Sequence, residues 1–142
     1  MTERTGGCLC GSVRYRLSGE PVASRTCWCR DCQRIASNGT VNAIFPKTAI
    51  SVTGELVEYT SVASSGNAVT RRFCPRCGSH LFAENSGRPS LAVVRLGTLD
   101  EPSSIKPAVN IWCSSAPAWA SFDPALQRVD KQPPAPGPPA AG

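Results

Sequence analysis

The chain has 142 residues, a formal net charge of +5, eight cysteines and a single histidine. This length fits one domain, and 41% apolar with only 6% aromatic residues predict a modest core that something besides apolar burial helps to stabilise. The sequence excludes a membrane-spanning helix, because its apolar stretches fall far short of the ~20 residues that such a helix needs.

The first residues are polar and lack the apolar stretch of a secretory signal. We therefore expect a cytoplasmic protein whose thiols are reduced. His80 is the only histidine, so any mechanism with a histidine base would have to use it.

Short segments rich in β-branched or aromatic residues follow one another along the chain. In 12–17, Val13, Tyr15 and Leu17 alternate with two arginines, which is the period of a strand with one buried face. Turn-forming residues separate the segments, and the predicted strands are 12–17, 40–45, 49–53, 56–60, 68–73, 81–84, 91–96 and 109–113. We predict a mostly β fold with little helix, limited to a turn or two at 31–37 with Asp31 as the cap.

The end of the chain has a different composition. From Gln132 onward, 5 of 11 residues are proline and no side chain can build a core, which predicts an extended tail. We therefore divide the chain into a domain over 1–129 and a Pro/Ala/Gly-rich tail over 130–142.

The cysteines form a pair, a triplet, a second pair and a singleton, at positions 8, 10, 27, 29, 32, 74, 77 and 113. In a reducing compartment such clusters indicate metal binding rather than disulfides. Thiolates bind zinc well, so zinc is the first candidate.

The two pairs together can supply a closed site. Cys74 and Cys77 form a C-x-x-C knuckle, and Gly78 permits the tight turn that follows it. Cys8 and Cys10 are expected to open the first strand, where residues two apart project to one face. Four thiolates around one ion would cross-link distant parts of a small domain.

The triplet of Cys27, Cys29 and Cys32 has three thiolates and no neighbouring histidine. Three protein ligands with an open fourth position are typical of catalytic zinc. Such an ion would bind an incoming thiol or water and lower its pKa.

Other assignments stay open from the residues alone. A zinc ribbon could join the last two triplet cysteines to the knuckle, although the intervening 41 residues exceed the usual spacing of about 15–20. Cys113 could complete the triplet, which would give two closed structural sites and no catalysis, or it could fill the core. His80 could be a ligand or could pack.

The remaining motifs surround the cysteines in a recognisable order. They are Gly7-Cys8-Leu9-Cys10-Gly11 with Val13 and Tyr15, Cys27-x-Cys29-x-x-Cys32, Phe45-Pro46, Thr53-Gly54-Glu55, Ser65-Gly66, Arg72-Phe73-Cys74-Pro75-x-Cys77-Gly78, Gly97-x-Leu99-Asp100, Ile111-Trp112 and Ala116-Pro117-Ala118-Trp119. This order resembles the glutathione-dependent formaldehyde-activating enzyme family, which also includes centromere protein V. The resemblance runs from about Gly7 to Trp119, and seven cysteines match in order and spacing.

The resemblance implies a β-tent fold and two zinc ions. The structural ion would be held by Cys8, Cys10, Cys74 and Cys77, and the catalytic ion by Cys27, Cys29 and Cys32. It also implies a reaction that joins formaldehyde to the thiol of glutathione, giving S-hydroxymethylglutathione, which is classed with carbon–sulfur lyases. Many relatives carry histidine where this chain has Trp28, so a role for that histidine does not transfer.

Glutathione carries two carboxylates, which arginines near the cysteine motifs could orient by bidentate contacts. The candidates are Arg30, Arg34, Arg71 and Arg72, although arginines are commonly solvated surface charges. Trp28 and Trp112 could wall the pocket or pack in the core.

The sequence thus favours a zinc-dependent carbon–sulfur lyase whose partners are a small thiol, such as glutathione, and an aldehyde. The alternative is a non-catalytic zinc-stabilised module that binds glutathione or another thiol. Nucleic-acid binding is disfavoured, because the basic residues are scattered and no recognised motif is present. We expect no membrane partner.

Overall fold

The computed structural model describes residues 2–134, which contain eleven short strands and one α-helix. The strands are β1 (Glu3–Gly7), β2 (Arg14–Ser18), β3 (Ala23–Cys27), β4 (Thr40–Pro46), β5 (Ile50–Thr53), β6 (Val57–Val62), β7 (Ala68–Phe73), β8 (His80–Asn85), β9 (Leu91–Arg95), β10 (Val109–Ile111) and β11 (Gln127–Arg128). The helix α1 is Arg30–Ala36. Single 3-10 turns lie at Lys47–Ala49, Leu96–Thr98, Pro102–Ser104 and Cys113–Ser115. The predicted mostly β fold is confirmed, and no helix within 2–134 is long and apolar enough to cross a membrane.

All eight predicted strands are present, with ends that differ by a few residues, but three strands were missed. β1 ends in two glycines and has no apolar alternation. The absence of a side chain at Gly6 is required there, since a Cβ would lie 2.4 Å from the Tyr15 ring. β3 is largely polar because one of its faces belongs to a polar cavity, and β11 has only two residues.

Two sheets make up the domain. The smaller has the order β1-β2-β5 and is antiparallel. The larger has the order β11-β10-β3-β4-β9-β8-β7-β6, in which β10 runs parallel to both of its neighbours and the remaining pairs are antiparallel.

The main core lies between the two sheets. The apolar side chains of β2, Tyr15 and Leu17, are fully buried, as predicted from their alternation, and pack in one cluster with Phe45, Phe82 and Val94 of the large sheet. The Tyr15 and Phe82 rings meet edge to face with centroids 5.2 Å apart. Each such side chain contributes roughly 1.5–3 kcal/mol by leaving water.

The opposite face of the large sheet is polar. Alternation along β4 places Asn42 on that face, and its paired neighbours are Arg25 of β3 and Arg95 of β9. In the same face Ala83 of β8 is paired with Arg71 of β7. This polar face carries the arginines that matter for the site described below.

The chain returns to this region after residue 129, where we predict the domain to end. The backbone N–H groups of Trp112, Cys113 and Ser114 donate to the carbonyls of Lys131, Val129 and Asp130 at 3.1–3.2 Å. The predicted tail therefore begins with residues that hydrogen-bond to the domain. Its residues 135–142 lie outside the part of the chain that the structure describes.

Candidate metal centre

Four cysteines from two turns form the first sulfur cluster. The Sγ atoms of Cys8, Cys10, Cys74 and Cys77 all lie within 4.8 Å of one another. Cys10 Sγ is 3.6 Å from Cys8 Sγ and 3.8 Å from Cys74 Sγ. Sulfurs bonded at about 2.3 Å to one tetrahedral zinc ion lie about 3.8 Å apart, so the residues present fit that ion.

The prediction that Cys8 and Cys10 open a strand is wrong, because both lie in the turn between β1 and β2. The N–H of Gly11 donates to the carbonyl of Cys8 at 3.1 Å, and Gly11 has a φ of +82°, which favours glycine. The N–H of Val13 then points at Cys8 Sγ at 3.3 Å. The two sulfurs converge because the backbone turns, not because of strand alternation.

The knuckle is formed as predicted. Gly78 has a φ of +76° and donates its N–H to the carbonyl of Cys74 at 2.9 Å. The N–H of Arg76 lies 3.4 Å from Cys74 Sγ.

Two serines beside the first cluster were not predicted from the sequence. The Ser12 hydroxyl lies 3.1 Å from Cys10 Sγ and 3.3 Å from Cys74 Sγ. The Ser79 hydroxyl lies 3.2 Å from Cys77 Sγ and accepts the N–H of Leu9 at 3.0 Å. Hydrogen bonds from the Ser79 side chain and then its backbone lower the pKa of Cys77 to about 5. Both serines lie two residues beyond a cysteine, which is the only signal that could have identified them.

The second cluster is built where β3 leads into α1. The Sγ atoms of Cys27, Cys29 and Cys32 lie within 4.8 Å of one another. Cys27 ends β3, and Cys29 caps α1 by accepting the N–H of Cys32 at 3.3 Å. The predicted cap, Asp31, was wrong, because the helix starts at residue 30 and Asp31 lies in its first turn.

The thiols of the second cluster have pKa values that are shifted in opposite directions. Hydrogen bonds from the Cys27 and Cys29 thiols lower the pKa of Cys32 to about 2, with help from the charge of Arg95. The pKa of Cys27 is raised, because its hydrogen bonds to Cys29 and Cys32 and its burial favour the neutral thiol. Cys29 Sγ lies 3.0 Å from Cys32 Sγ. Cys32 is therefore the anionic sulfur of the cluster, and the neutral thiols of Cys27 and Cys29 lie beside it as further potential metal ligands.

The other cysteine assignments are not those of the structure. A zinc ribbon would need the triplet and the knuckle in one cluster, but they belong to two. Cys113 is in neither cluster, and its thiol donates to the carbonyl of Asn110 at 3.4 Å. His80 is also in neither, and its ring stacks on Phe73 with centroids 5.0 Å apart.

Two adjoining cavities open beside the second cluster. The first, called the sheet cavity, has a volume of about 140 Å³ and lies over the polar face of the large sheet, lined by Cys27, Cys32, Arg25, Arg71, Arg88 and Arg95 among others. The second, called the loop cavity, has a volume of about 480 Å³ and is lined by Cys27, Cys29, Arg30, Arg71, Trp112 and Gln132 among others. None of the four cysteines of the first cluster lines either cavity.

The predicted substrate-binding residues divide into two groups. Arg30, Arg71 and Trp112 line the loop cavity. Three others do not line either cavity: Arg34 is exposed on α1, Arg72 pairs with Glu58 and Glu84, and Trp28 packs against Trp119 and Phe122. Strand alternation explains Arg72, which must project to the opposite face from Arg71. The side chain of Trp28 is only 3% exposed, so Trp28 is a core residue.

Three arginines of the sheet cavity were missed. Two of them, Arg88 and Arg95, are distant in sequence from every cysteine motif. The third, Arg25, lies two residues before Cys27. That spacing puts both side chains on one face of β3 and was the available signal. Arg95 could be placed only by knowing that β9 pairs with β4.

The protein is a mostly β domain with two cysteine clusters that could each hold a metal ion, one of four cysteines and one of three that faces a cavity. Residues 3–115 match the family model described as glutathione-dependent formaldehyde-activating enzyme. The chain belongs to this family, as the motifs predicted.

Among solved structures, the chain is similar to a crystal structure of a Rhodobacter sphaeroides protein, with 22% identity and a TM-score of 0.56. The match covers 72% of this chain and 91% of the other. It supports the fold. The curated proteins include no match.

Proposed function

We propose that the protein is a zinc-dependent enzyme of the carbon–sulfur lyase type, which forms or breaks the adduct of a thiol and an aldehyde. The reaction would resemble that of S-(hydroxymethyl)glutathione synthase, with glutathione and formaldehyde as the reference substrates. The observation that carries this proposal is the position of the second cluster. Its three sulfurs face two cavities, whereas the first cluster lies outside both.

The two clusters would have different tasks. Cys8, Cys10, Cys74 and Cys77 would hold a structural zinc ion, and Cys27, Cys29 and Cys32 a second, catalytic one. Zinc at the second cluster would act as a Lewis acid and would lower the pKa of a bound substrate thiol toward neutrality. All eight cysteines are free, which is compatible with the reduced thiols of the cytoplasm, where we place the protein.

The residues around the second cluster would bind and orient the thiol. The loop cavity is large enough for a tripeptide-sized ligand, and its arginines, Arg30, Arg71 and Arg88, suit carboxylates. Trp112 supplies an apolar wall, and its indole N–H is held by the side chain of Gln132 at 3.0 Å.

The reaction balances without a side-chain base. The sulfur of the thiol bonds to the carbonyl carbon, the carbonyl π electrons move to oxygen, and the thiol proton ends on that oxygen. Within residues 2–134, the only carboxylates that line the cavities belong to Asp31 and Glu84, and both are in ion pairs. We therefore infer that these carboxylates balance the charge of neighbouring cationic side chains and do not transfer protons in the reaction.

Exchange NMR on ¹³C-formaldehyde and glutathione tests this proposal. The zinc-loaded protein is expected to accelerate interconversion of the free aldehyde and the adduct above the background rate. The matched variant Cys29→Ser keeps the first cluster and should return the rate to background. Calorimetric binding of glutathione without any acceleration would instead show the non-catalytic thiol-binding module.

A further inference from the structure

The sheet cavity has more positive charge than its neighbours neutralise. Four arginines line it, and of these only Arg71 pairs with a carboxylate, that of Asp31 at 3.5 Å. The ion pairs within residues 2–134 involve none of Arg25, Arg88 and Arg95. Glu84, which also lines the cavity, is paired with Lys47 and Arg72 at 3.1 and 3.0 Å.

Two of these arginines are held in an environment that disfavours charge. Arg25 is only 7% exposed, and it lines the same cavity as Arg88, so the two positive charges lie close together. Arg95 donates from one terminal nitrogen to Asn42 at 2.6 Å, but its buried Nε has no hydrogen-bond partner in the described chain. Buried charges and unpaired donors are costly unless a ligand completes them.

The sulfur cluster does not supply enough negative charge. Three thiolates around one divalent ion carry a single net negative charge, which offsets one arginine. Arg25, Arg88 and Arg95 carry three positive charges, so an excess remains. A cavity with this excess and a free Nε donor is suited to a carboxylate, whose two oxygens match the guanidinium geometry.

The size of the cavity limits which carboxylate fits. A cavity of about 150 Å³ holds a ligand of benzene size. The sheet cavity, with about 140 Å³, therefore takes a compact anion, while the loop cavity of about 480 Å³ has the room for a tripeptide thiol. Formaldehyde carries no charge and makes no use of three unpaired arginines.

We propose that the sheet cavity binds the carboxylate of the carbonyl substrate, so that a two- or three-carbon oxo acid is a substrate in addition to formaldehyde. The proposal rests on the proposed thiol–aldehyde chemistry. Cys27 and Cys32 line the same cavity as Arg25 and Arg95, so a carboxylate bound there places the adjacent carbonyl carbon next to the sulfur cluster. The thiol sulfur bonds to that carbon, its proton ends on the carbonyl oxygen, and the carboxylate is unchanged.

Calorimetric titration of the zinc-loaded protein tests the inference without turnover. The probes are glycolate, which has the carboxylate of glyoxylate but no reactive carbonyl, and S-methylglutathione, which has the carboxylates of the thiol but no free sulfhydryl. We expect glycolate affinity to fall about 10- to 100-fold in Arg25→Gln and Arg88→Gln, the range for a lost charged hydrogen bond. The surface variant Arg16→Gln, 67% exposed at its side chain, should bind as the wild type does.

Two other outcomes overturn the inference. If S-methylglutathione loses affinity in these variants and glycolate does not, the cavity takes the carboxylate of the thiol. If neither probe is affected, the arginines are structural. Arg88 lies in the β8–β9 loop, where it lines both cavities, and is the variant to use should Arg25→Gln not fold; its effect on glycolate affinity is then the deciding result. Glycolate binding with no acceleration of adduct exchange for formaldehyde or glyoxylate would reject the proposed function and leave this anion site intact.

Discussion

Arg95 of β9 donates a hydrogen bond of 2.6 Å to the side-chain oxygen of Asn42 on the paired strand β4. Asn42 in turn donates to the Thr40 hydroxyl at 2.9 Å. These hydrogen bonds fix the Arg95 guanidinium on the polar face of the large sheet, where it lines the sheet cavity together with Cys27 and Cys32. Asn42 is thus a positioning residue for the cavity rather than a ligand in its own right.

We predict that Asn42→Ala weakens glycolate binding about tenfold and destabilises the fold by about 1–3 kcal/mol, because a buried guanidinium donor loses its acceptor. The KM for glyoxylate should rise more than the KM for glutathione. Calorimetry and steady-state kinetics check this. Equal changes in both KM values would assign Asn42 a structural role only.

Asp31→Asn should have the opposite effect on anion binding. Asp31 is the one carboxylate paired with Arg71, at 3.5 Å, and its side chain is 56% exposed. Partly exposed ion pairs are worth about 0.2–1 kcal/mol, so the freed Arg71 should raise glycolate affinity about two- to fivefold. Glu58→Gln, which removes one of the two carboxylate partners of Arg72 on the other face, is the matched control. A lower affinity in Asp31→Asn would contradict the electrostatic account of the cavity.

The two sulfur clusters should respond differently to loss of a cysteine. Cys74→Ser removes a ligand from the cluster that joins the β1–β2 turn to the β7–β8 turn, so we expect a large loss of stability together with zinc. Cys29→Ser should release zinc from the second cluster alone, because it removes one of the three sulfurs there. The loss of stability should be small, since serine also caps a helix well. Metal analysis and urea denaturation of the purified variants check this. Equal destabilisation by both would contradict the division into a structural and a catalytic site.

Gly6→Ala tests the packing of the small sheet. An added Cβ would lie 2.4 Å from the Tyr15 ring and 2.5 Å from the carbonyl of Thr98, so we expect a loss of about 1–3 kcal/mol. Gly97→Ala is the control, because a Cβ there meets nothing within 4 Å. Urea denaturation of both variants with zinc present gives the comparison. A Gly6→Ala variant as stable as Gly97→Ala would show that β1 moves away without cost.

Local patterns in the sequence were sufficient for much of the fold. Strand β2 was predictable because Tyr15 and Leu17 face one core, and the knuckle was predictable because Gly78 follows Cys77. Strand β3 was not, because its side chains line a polar cavity and carry no apolar alternation. The strand pairing that places Arg95 beside Asn42 joins residues far apart in sequence, and no local pattern contains it.

The site was predicted for its cysteines and only in part for its arginines. Cysteine spacing reflects the geometry of the sulfurs directly, so both clusters could be grouped in advance. Arginines near a motif in sequence need not share its face, and Arg71 and Arg72 show this because they project to opposite sides of β7. Proximity along the chain therefore selected Arg34 and Arg72, and strand register was needed to find Arg95.

The most direct test of the account is adduct exchange measured by NMR on protein shown to hold two zinc ions per chain, with glutathione and either formaldehyde or glyoxylate. We predict exchange faster than the uncatalysed background for both carbonyl compounds, and a return to background in Cys29→Ser. A rate equal to background for both carbonyl compounds, in protein with both sites filled, would contradict it.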